Sequence, residues 1–169
     1  MSKTVKLHRG LDISLQGAAA KEKCAVKIGK VYALQPDDFE GVKPKVVVKE
    51  GDKVKVGEPL FINKAYPEVK FASPVSGTVT LVERGERRKV LSVQVEADAQ
   101  QEFVDFGKKD VKNLSGEDVK KALLEAGLFG YINQLPYAIS TNDQTAPKAI
   151  FVSALRDMPL AGDFEYEVK

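Results

Sequence analysis

A chain of 169 residues with 43% hydrophobic and 30% charged side chains has the composition of a folded globular protein, which excludes intrinsic disorder. Its net charge of +2 is too small to indicate nucleic-acid binding, and its lysines are spread out as on a solvated surface. The single cysteine, Cys24, excludes an internal disulfide and a cysteine-cluster metal site.

Two residues that often carry chemistry are each present once. His8 lies in a basic N-terminal stretch without a base-orienting neighbour, so we interpret it as an ordinary surface or strand residue rather than a catalytic one. We interpret Cys24 as a small buried apolar side chain. No apolar run approaches the roughly 18 residues of a membrane span, and the N-terminus lacks a signal-peptide core. These features favour a cytosolic location.

The first hundred residues are predicted to be strands. Short strands are expected at "LDISLQG", "CAVKIG" and "KVYAL", followed by a loop over residues 35–41. From Lys43 a valine-rich strand leads into turns at residues 51–52, 57–59 and 74–77, and later turns occur at 83–86. In the last strand, Leu91, Val93 and Val95 share one face, and Ser92, Gln94 and Glu96 share the other. Many short strands punctuated by Gly and Pro indicate a compact β-barrel or sandwich.

A helix is predicted from residue 115. Ser115 is the expected N-cap and Asp118 the third helical residue, a short form of the capping box. Gly127 provides the C-terminal stop. One apolar face is expected from Val119, Ala122, Leu123 and Ala126.

The C-terminal run "AIFV" (149–152), with Leu155, is apolar on both faces, which is typical of a strand in a covered parallel sheet. We therefore expect the chain to be mixed α/β and β-rich. Residues 1–110 would form the barrel-sandwich with its N-terminal strands, and residues 111–169 the helix and first strand of a truncated Rossmann-like α/β domain.

The stretches "VVKEGDKVKVGEPL" and "FASPVSGTV" resemble the biotinyl/lipoyl barrel-sandwich family. That resemblance implies a modified lysine at the tip of the intervening hairpin. Here the tip falls near residues 65–67, with Lys64 and Lys70 on the arms, so we disfavour both as carrier lysines. A biotinyl/lipoyl-type carrier or a membrane-fusion adaptor domain stays an alternative, although adaptors add a coiled coil and no heptad run is present.

A narrower resemblance covers most of the chain. The stretches "GLDISLQG", "VKFASPVSGTVTLVERGERRKVLSVQVE", "LLEAGLF" and "PKAIFVSALRDMPLAGD" make the sequence similar to the A subunits of bacterial Na⁺-translocating NADH:quinone reductases, relatives of the electron-transport complex C subunits. The resemblance implies a peripheral subunit on the cytoplasmic side of the bacterial inner membrane. Its partners would be the other subunits of a membrane redox complex, which hold the flavins and iron–sulfur centres, with ubiquinone as substrate.

The resemblance leaves the ligand of this chain open. Where related flavin- and NADH-binding subunits carry a glycine cluster, this chain reads "GLFGYINQLPY", so we expect neither nucleotide here. An apolar aromatic segment could line a quinone cleft, and Phe129, Tyr131 and Tyr137 are the candidate contacts. The alternative is that these aromatics are core or interface packing. No catalytic residue and no metal ligand is predicted, and the fragment alone is expected to be inactive.

Overall fold

The computed structural model describes residues 6, 15–25, 29–152 and 160–168. They fall into two compact units. One unit comprises residues 28–146, and the other comprises residues 1–27 together with 147–169. The domain boundary expected between residues 110 and 111 is not tested by this grouping and stays a prediction.

The larger unit is built on two antiparallel sheets. The four-stranded sheet has the order β1-β7-β6-β3, and the three-stranded sheet the order β2-β4-β5. Their strands are β1 (Val31–Leu34), β2 (Pro44–Val46), β3 (Lys53–Val54), β4 (Pro59–Asn63), β5 (Lys70–Ala72), β6 (Gly77–Arg84) and β7 (Val90–Ala97). The strands predicted around "KVYAL", "LFI", "KFAS", "TVTLV" and "RKVLSVQVE" are therefore confirmed.

The core of this unit takes its side chains from both sheets, as expected for a sandwich. The three-stranded sheet contributes Leu60, Phe61 and Phe71, and the four-stranded sheet contributes Val79, Val93 and Val95; all six are essentially inaccessible to solvent. Phe39, from the loop before β2, packs on the same cluster. Burial of these apolar side chains is the main stabilising contribution to the unit.

The turn at residues 74–77 holds the segment that leaves β7. The Gln101 side chain accepts a hydrogen bond from the Ser76 backbone N–H at 2.7 Å and donates to the Ser76 carbonyl at 3.2 Å. The Ser76 hydroxyl accepts from the Glu102 N–H at 2.8 Å. Val56 then forms a parallel bridge with Phe103. The turn therefore serves as an anchor for residues 98–104.

The helix α1 (Gly116–Glu125) has the predicted capping box. The Ser115 hydroxyl accepts from the Asp118 N–H, and the Asp118 carboxylate accepts from the Ser115 N–H at 3.1 Å. Gly127 ends the helix with a φ of +70°, which confirms the predicted stop. None of the helical residues is fully buried. Leu124, which is not on the predicted apolar face, is the α1 residue that packs against the core cluster, and Val119 is exposed, so the predicted face is wrong at these two positions.

Replacing Ser115 with Ala should lower the free energy of unfolding by about 1 kcal/mol, because the Asp118 N–H loses its side-chain acceptor. Urea unfolding followed by circular dichroism measures this loss. Ser115→Asp should retain most of the stability, since an aspartate can also cap. Equal free energies of unfolding for the Ala and Asp variants would contradict the capping interpretation.

The same cap makes the helix sensitive to acid. The Ser115 hydroxyl and then the Ser115 backbone N–H hold the pKa of the Asp118 carboxyl below its usual value. Because the pKa of this carboxyl is lower in the folded state, ionised Asp118 stabilises the fold. This stabilisation is complete at pH values above the pKa of the unfolded state, and it is lost as the pH falls through the pKa of the folded state. NMR titration of the Asp118 carboxyl should show the low pKa, and Ser115→Ala should raise it toward the ordinary value. An unchanged pKa in that variant would contradict the assignment.

Further short elements complete the larger unit. The two-stranded hairpin of β8 (Asn133–Gln134) and β9 (Ile139–Ser140) follows α1. Single 3₁₀ turns occur at Pro36–Asp38, Glu86–Arg88, Val111–Asn113 and Phe129–Tyr131. The smaller unit contains the helix α2 (Phe164–Val168) and an ion pair between Lys21 and Asp163 at 2.6 Å.

Several sequence-based expectations are corrected or lie outside the described residues. The strand expected over 149–152 is not formed: Ile150, Phe151 and Val152 are exposed, and no described strand offers them ladder hydrogen bonds. Cys24 is exposed rather than buried, because the whole described stretch 15–25 is exposed and without strand structure. His8 and Leu155 lie outside the described ranges, as do residues 11–14 and 26–28 of the first two expected strands.

The start of β7 departs from the predicted alternation: Leu91, expected on the face of Val93 and Val95, is only half-buried, and Val90 is in the core instead. Ser92, expected on the polar face, is buried and donates a hydrogen bond from its hydroxyl to the Glu83 carboxylate at 2.8 Å. The β6–β7 register shifts between Glu83 and Arg84, and such a shift moves side chains between faces. Val93 and Val95 face the core as predicted.

Candidate functional site

The segment after α1 lies directly on strand β5 because two glycines allow a close approach. A methyl group at Gly127 would lie 3.0 Å from the Ala72 Cβ, and one at Gly130 would lie 2.7 Å from two ring carbons of Phe71. Any side chain at Gly130 would push the segment away from the sheet. Both glycines are therefore used for packing.

This packing bears on whether a nucleotide could bind here. A phosphate-binding glycine leaves its backbone open to the ligand, as in dinucleotide-binding loops. Gly127 and Gly130 instead present their Cα positions to the sandwich, where Ala72 and Phe71 occupy the space. The residues do not fit a flavin or NADH phosphate, and we assign neither to this segment.

Two of the three candidate quinone contacts connect this segment to the core. Phe129 is half-buried and packs against the core cluster. The Tyr131 ring meets Phe39 edge-on, with centroids 5.0 Å apart and an interplanar angle of 89°. The ring centroid of Phe39 in turn lies 4.3 Å from that of Phe71. Tyr131 is thus the outer member of an aromatic cluster that begins in the core.

About half of Tyr131 remains accessible, with 51% of the residue exposed. Partial burial, and then the nearby Asp38 carboxylate, raise the pKa of the Tyr131 hydroxyl above its usual value. The hydroxyl is therefore protonated at neutral pH and is available as a hydrogen-bond donor. Tyr131 is therefore a ring that contacts the core rings and stays about half exposed.

Tyr137 is placed differently. It follows the Leu135–Pro136 peptide at the turn between β8 and β9, and it is 79% exposed. The structure does not bring it into ring contact with Phe129 or Tyr131. Three further apolar side chains around these tyrosines are exposed and were not singled out from the sequence: Leu128, Ile132 and Leu135.

A cleft of about 430 Å³ lies nearby but has a different lining. Its walls are the α1 residues Glu117, Lys120, Lys121, Leu124 and Glu125, with Glu68, Lys70 and Asp143 opposite them. The lining is mainly charged and contains none of the three aromatic candidates. Over the described ranges, no group of acidic, histidine or cysteine side chains has the arrangement of a metal site.

The hairpin between β4 and β5 shows how the two candidate carrier lysines are placed. Residues 64–69 form its tip; Lys64 is exposed at the start of the tip, and Lys70 is half-buried within β5. The centre of the tip is occupied by Ala65, Tyr66 and Pro67. Neither lysine lies at the centre of the tip, where a swinging arm is attached, and the absence of a prosthetic group stays a prediction.

Sequence reasoning missed Phe39. Residues 35–41 were predicted to be a loop, and a loop is usually placed at the surface. The structure instead buries Phe39 between the core rings and Tyr131. The available indication was a single phenylalanine within an otherwise polar, Pro- and Asp-containing stretch.

Comparison with known proteins identifies the family. Residues 5–98 match the family model described as the NqrA N-terminal barrel-sandwich hybrid domain. Residues 114–169 match the model of the NqrA second alpha/beta domain. The chain belongs to the NqrA family. Both the family resemblance and the mixed α/β, barrel-sandwich fold class predicted from the sequence are confirmed.

Curated NqrA proteins resemble the chain along nearly its full length. A relative from Pseudomonas aeruginosa (strain UCBPP-PA14), named as the A subunit of Na⁺-translocating NADH-quinone reductase, is 35% identical over 161 residues, covering 94% of this chain and 36% of the relative. Relatives of the same name from Yersinia pseudotuberculosis (strain IP 31758) and Photorhabdus laumondii are 35% and 36% identical, with the same coverage. The chain thus spans about a third of the length of these relatives. No helix in its described part has the length and apolarity to cross a membrane.

Proposed function

We propose that this chain serves in the A subunit of a Na⁺-pumping NADH:ubiquinone oxidoreductase. In this proposal the subunit lies on the cytoplasmic side of the bacterial inner membrane, is held there by the other subunits, and contributes to assembly of the complex and to quinone binding. The flavins and iron–sulfur centres belong to the partner subunits. The chain alone does not oxidise NADH.

The observation that carries the proposal is the match to two successive NqrA domains, over residues 5–98 and 114–169. Relatives named as the A subunit of Na⁺-translocating NADH-quinone reductase are about one-third identical to this chain over 94% of its length. Membership of such a complex requires surfaces for partners. The exposed apolar residues of segment 128–137 are consistent with that need.

The quinone contact is proposed at the aromatic candidates. Phe39 packs edge-to-face with the Tyr131 ring, and the exposed half of Tyr131 would offer aromatic surface to a quinone ring. The protonated Tyr131 hydroxyl would donate to a quinone carbonyl oxygen. Phe129 supports the segment from the core, and Tyr137 would close over the ligand from the β8–β9 turn.

Photoaffinity labelling tests the quinone contact. An azido-ubiquinone analogue, applied to the assembled complex containing the full-length protein, should label the segment 128–137, and excess ubiquinone should suppress the label. Tyr131→Phe should reduce labelling by removing the hydroxyl while retaining the ring. Tyr32→Phe, in β1, is the matched control and should label as the unmodified protein does. Labelling confined to other parts of the complex would overturn the quinone contact.

The carrier alternative has a separate test. Intact-mass spectrometry of the protein from its native host should show no biotin or lipoate on Lys64 or Lys70. An adduct on either lysine would overturn the proposal in favour of a carrier. NADH oxidation by the isolated chain would contradict the assignment of the redox centres to partner subunits.

A further inference from the structure

The outer face of the three-stranded sheet carries a regular pattern of lysines. Along residues 42–48, exposed and half-buried residues alternate, as expected for a strand with one face on a core. Val42, Val46 and Val48 pack against the core cluster. Lys43, Lys45 and Val47 point the other way and are exposed.

The strand register extends this pattern across the sheet. Lys45 is paired with Ile62, and Ile62 is paired with Lys70, so the three lie in one row on the outer face. The Lys64 N–H donates to the Lys43 carbonyl at 2.7 Å, which places Lys64 beside Lys43. We call Lys43, Lys45, Val47, Ile62 and Lys64 the lysine face.

Among the described residues, no acidic side chain forms an ion pair with the lysine face, although Glu50, Glu58 and Glu68 adjoin its segments along the chain. Residues 42–49 and 59–67 contain four lysines and no aspartate or glutamate. In the described part of the chain, the ion pairs are Lys21–Asp163, Lys55–Glu102, Lys89–Asp37 and Lys109–Glu125, so Lys43, Lys45 and Lys64 are unpaired. Glu68, at the far end of the hairpin tip, lines the cleft with Lys70 and α1. A locally basic surface thus occurs on a chain whose net charge is only +2.

We propose that the lysine face binds the anionic surface of a lipid bilayer. The inference rests on the proposed function, which places the chain in a membrane complex. Ammonium groups are point charges suited to a diffuse field of phosphates, whereas recognition of an acidic peptide favours the bidentate geometry of arginine. Ile62 and Val47 lie among the lysines and give the face apolar area for contact with the interfacial region.

Vesicle co-sedimentation tests the inference. The protein should bind vesicles of phosphatidylcholine mixed with phosphatidylglycerol at low ionic strength, should not bind phosphatidylcholine alone, and should be released by added salt. Each lysine near an anionic surface contributes about fivefold to binding. The triple variant Lys43→Gln, Lys45→Gln, Lys64→Gln should therefore bind about a hundredfold more weakly.

The matched control has the same net charge. Lys108→Gln, Lys112→Gln and Lys121→Gln remove three exposed lysines elsewhere in the larger unit, and this variant should bind within about fivefold of the unmodified protein. Both triple variants should unfold at the temperature of the unmodified protein, which shows that each is folded. Equal weakening in both triples, or no binding of the unmodified protein to phosphatidylglycerol vesicles, would overturn the inference.

A further measurement separates this inference from the proposed function. In detergent without anionic lipid, the full-length protein carrying the lysine-face triple should still copurify with its partner subunits. Loss of copurification combined with unchanged vesicle binding would mean that the face binds an acidic protein, and would overturn the lipid assignment. Failure of the unmodified protein to copurify with any membrane redox subunit would overturn the proposed function instead.

Discussion

Gly77→Ala is expected to lower the free energy of unfolding by about 3 kcal/mol or more. A methyl group at this position would lie 1.9 Å from the Glu96 carbonyl oxygen and 2.8 Å from its carbon, both in the backbone of β7. No side-chain rotation relieves such a contact, so β6 and β7 must separate. The change would also displace Ser76 and the hydrogen bonds that it makes with Gln101. Urea unfolding of the two proteins measures the difference.

Gly116→Ala is the matched control. Nothing lies within 4 Å of a methyl group at Gly116, which is the first residue of α1. Alanine favours the helix there, so the stability should be unchanged or rise by up to about 1 kcal/mol. Similar unfolding midpoints for Gly77→Ala and Gly116→Ala would show that the β6–β7 contact is not as tight as described.

Phe71→Ala is expected to cost about 3–5 kcal/mol, the range for removing a fully buried aromatic ring. The Phe71 ring stacks on Phe61 with centroids 4.8 Å apart and lies 4.3 Å from Phe39. Its ring also forms the surface on which Gly130 lies. The cavity would therefore loosen both the core and the segment that carries Tyr131. Chemical unfolding measures the stability loss.

Two substitutions bracket this result. Phe71→Leu retains most of the buried volume and should cost less than about 1.5 kcal/mol. Tyr137→Ala removes an aromatic side chain that is 79% exposed and should change stability by less than about 0.5 kcal/mol. If Phe71→Ala were no more harmful than Tyr137→Ala, the aromatic cluster would not be the core element assigned here.

The features that the sequence predicts best are those determined by neighbours along the chain. The cap of α1 depends on Ser115 and Asp118, three residues apart, and the structure contains both of its reciprocal hydrogen bonds. The turn at 74–77 and the strand that follows it are likewise predicted by a short run of Pro, Gly and alternating valines. In these stretches local geometry and the tertiary fold agree.

The errors arise where the partner of a residue is distant in sequence. The apolar run 149–152 indicates that burial is favourable, but it does not specify which strand would pair with it, and no described strand does. Phe39 contacts Phe71 and Tyr131, and no local pattern encodes either contact. The prediction that Cys24 is buried rests on the average burial of cysteine. That average does not apply to an irregular, exposed stretch such as the one that contains Cys24.

In the candidate site, too, the sequence predicts the local features and not the contacts between distant residues. Phe129 and Tyr131 could be selected from the sequence as aromatic residues in an apolar segment, but their unequal burial follows from the packing of Gly127 and Gly130 on β5. The lysine face could not be recognised as a surface without the register that joins Lys45 to Ile62 and Lys70. Alternation along residues 42–48 gives one edge of it, and the pairing of β2 with β4 gives the rest.

The segment that leaves β7 has a consequence for proteolysis. Phe103 is 68% exposed and would be an attractive target for chymotrypsin. Its flanking backbone is nevertheless held: the Glu102 N–H donates to Ser76, and the Val104 N–H donates to Val56 at 2.9 Å. A protease must draw the backbone into its active site, so bonded segments resist cleavage even when a side chain is accessible. Cleavage of the native protein should therefore spare Phe103 until the turn at Ser76 opens.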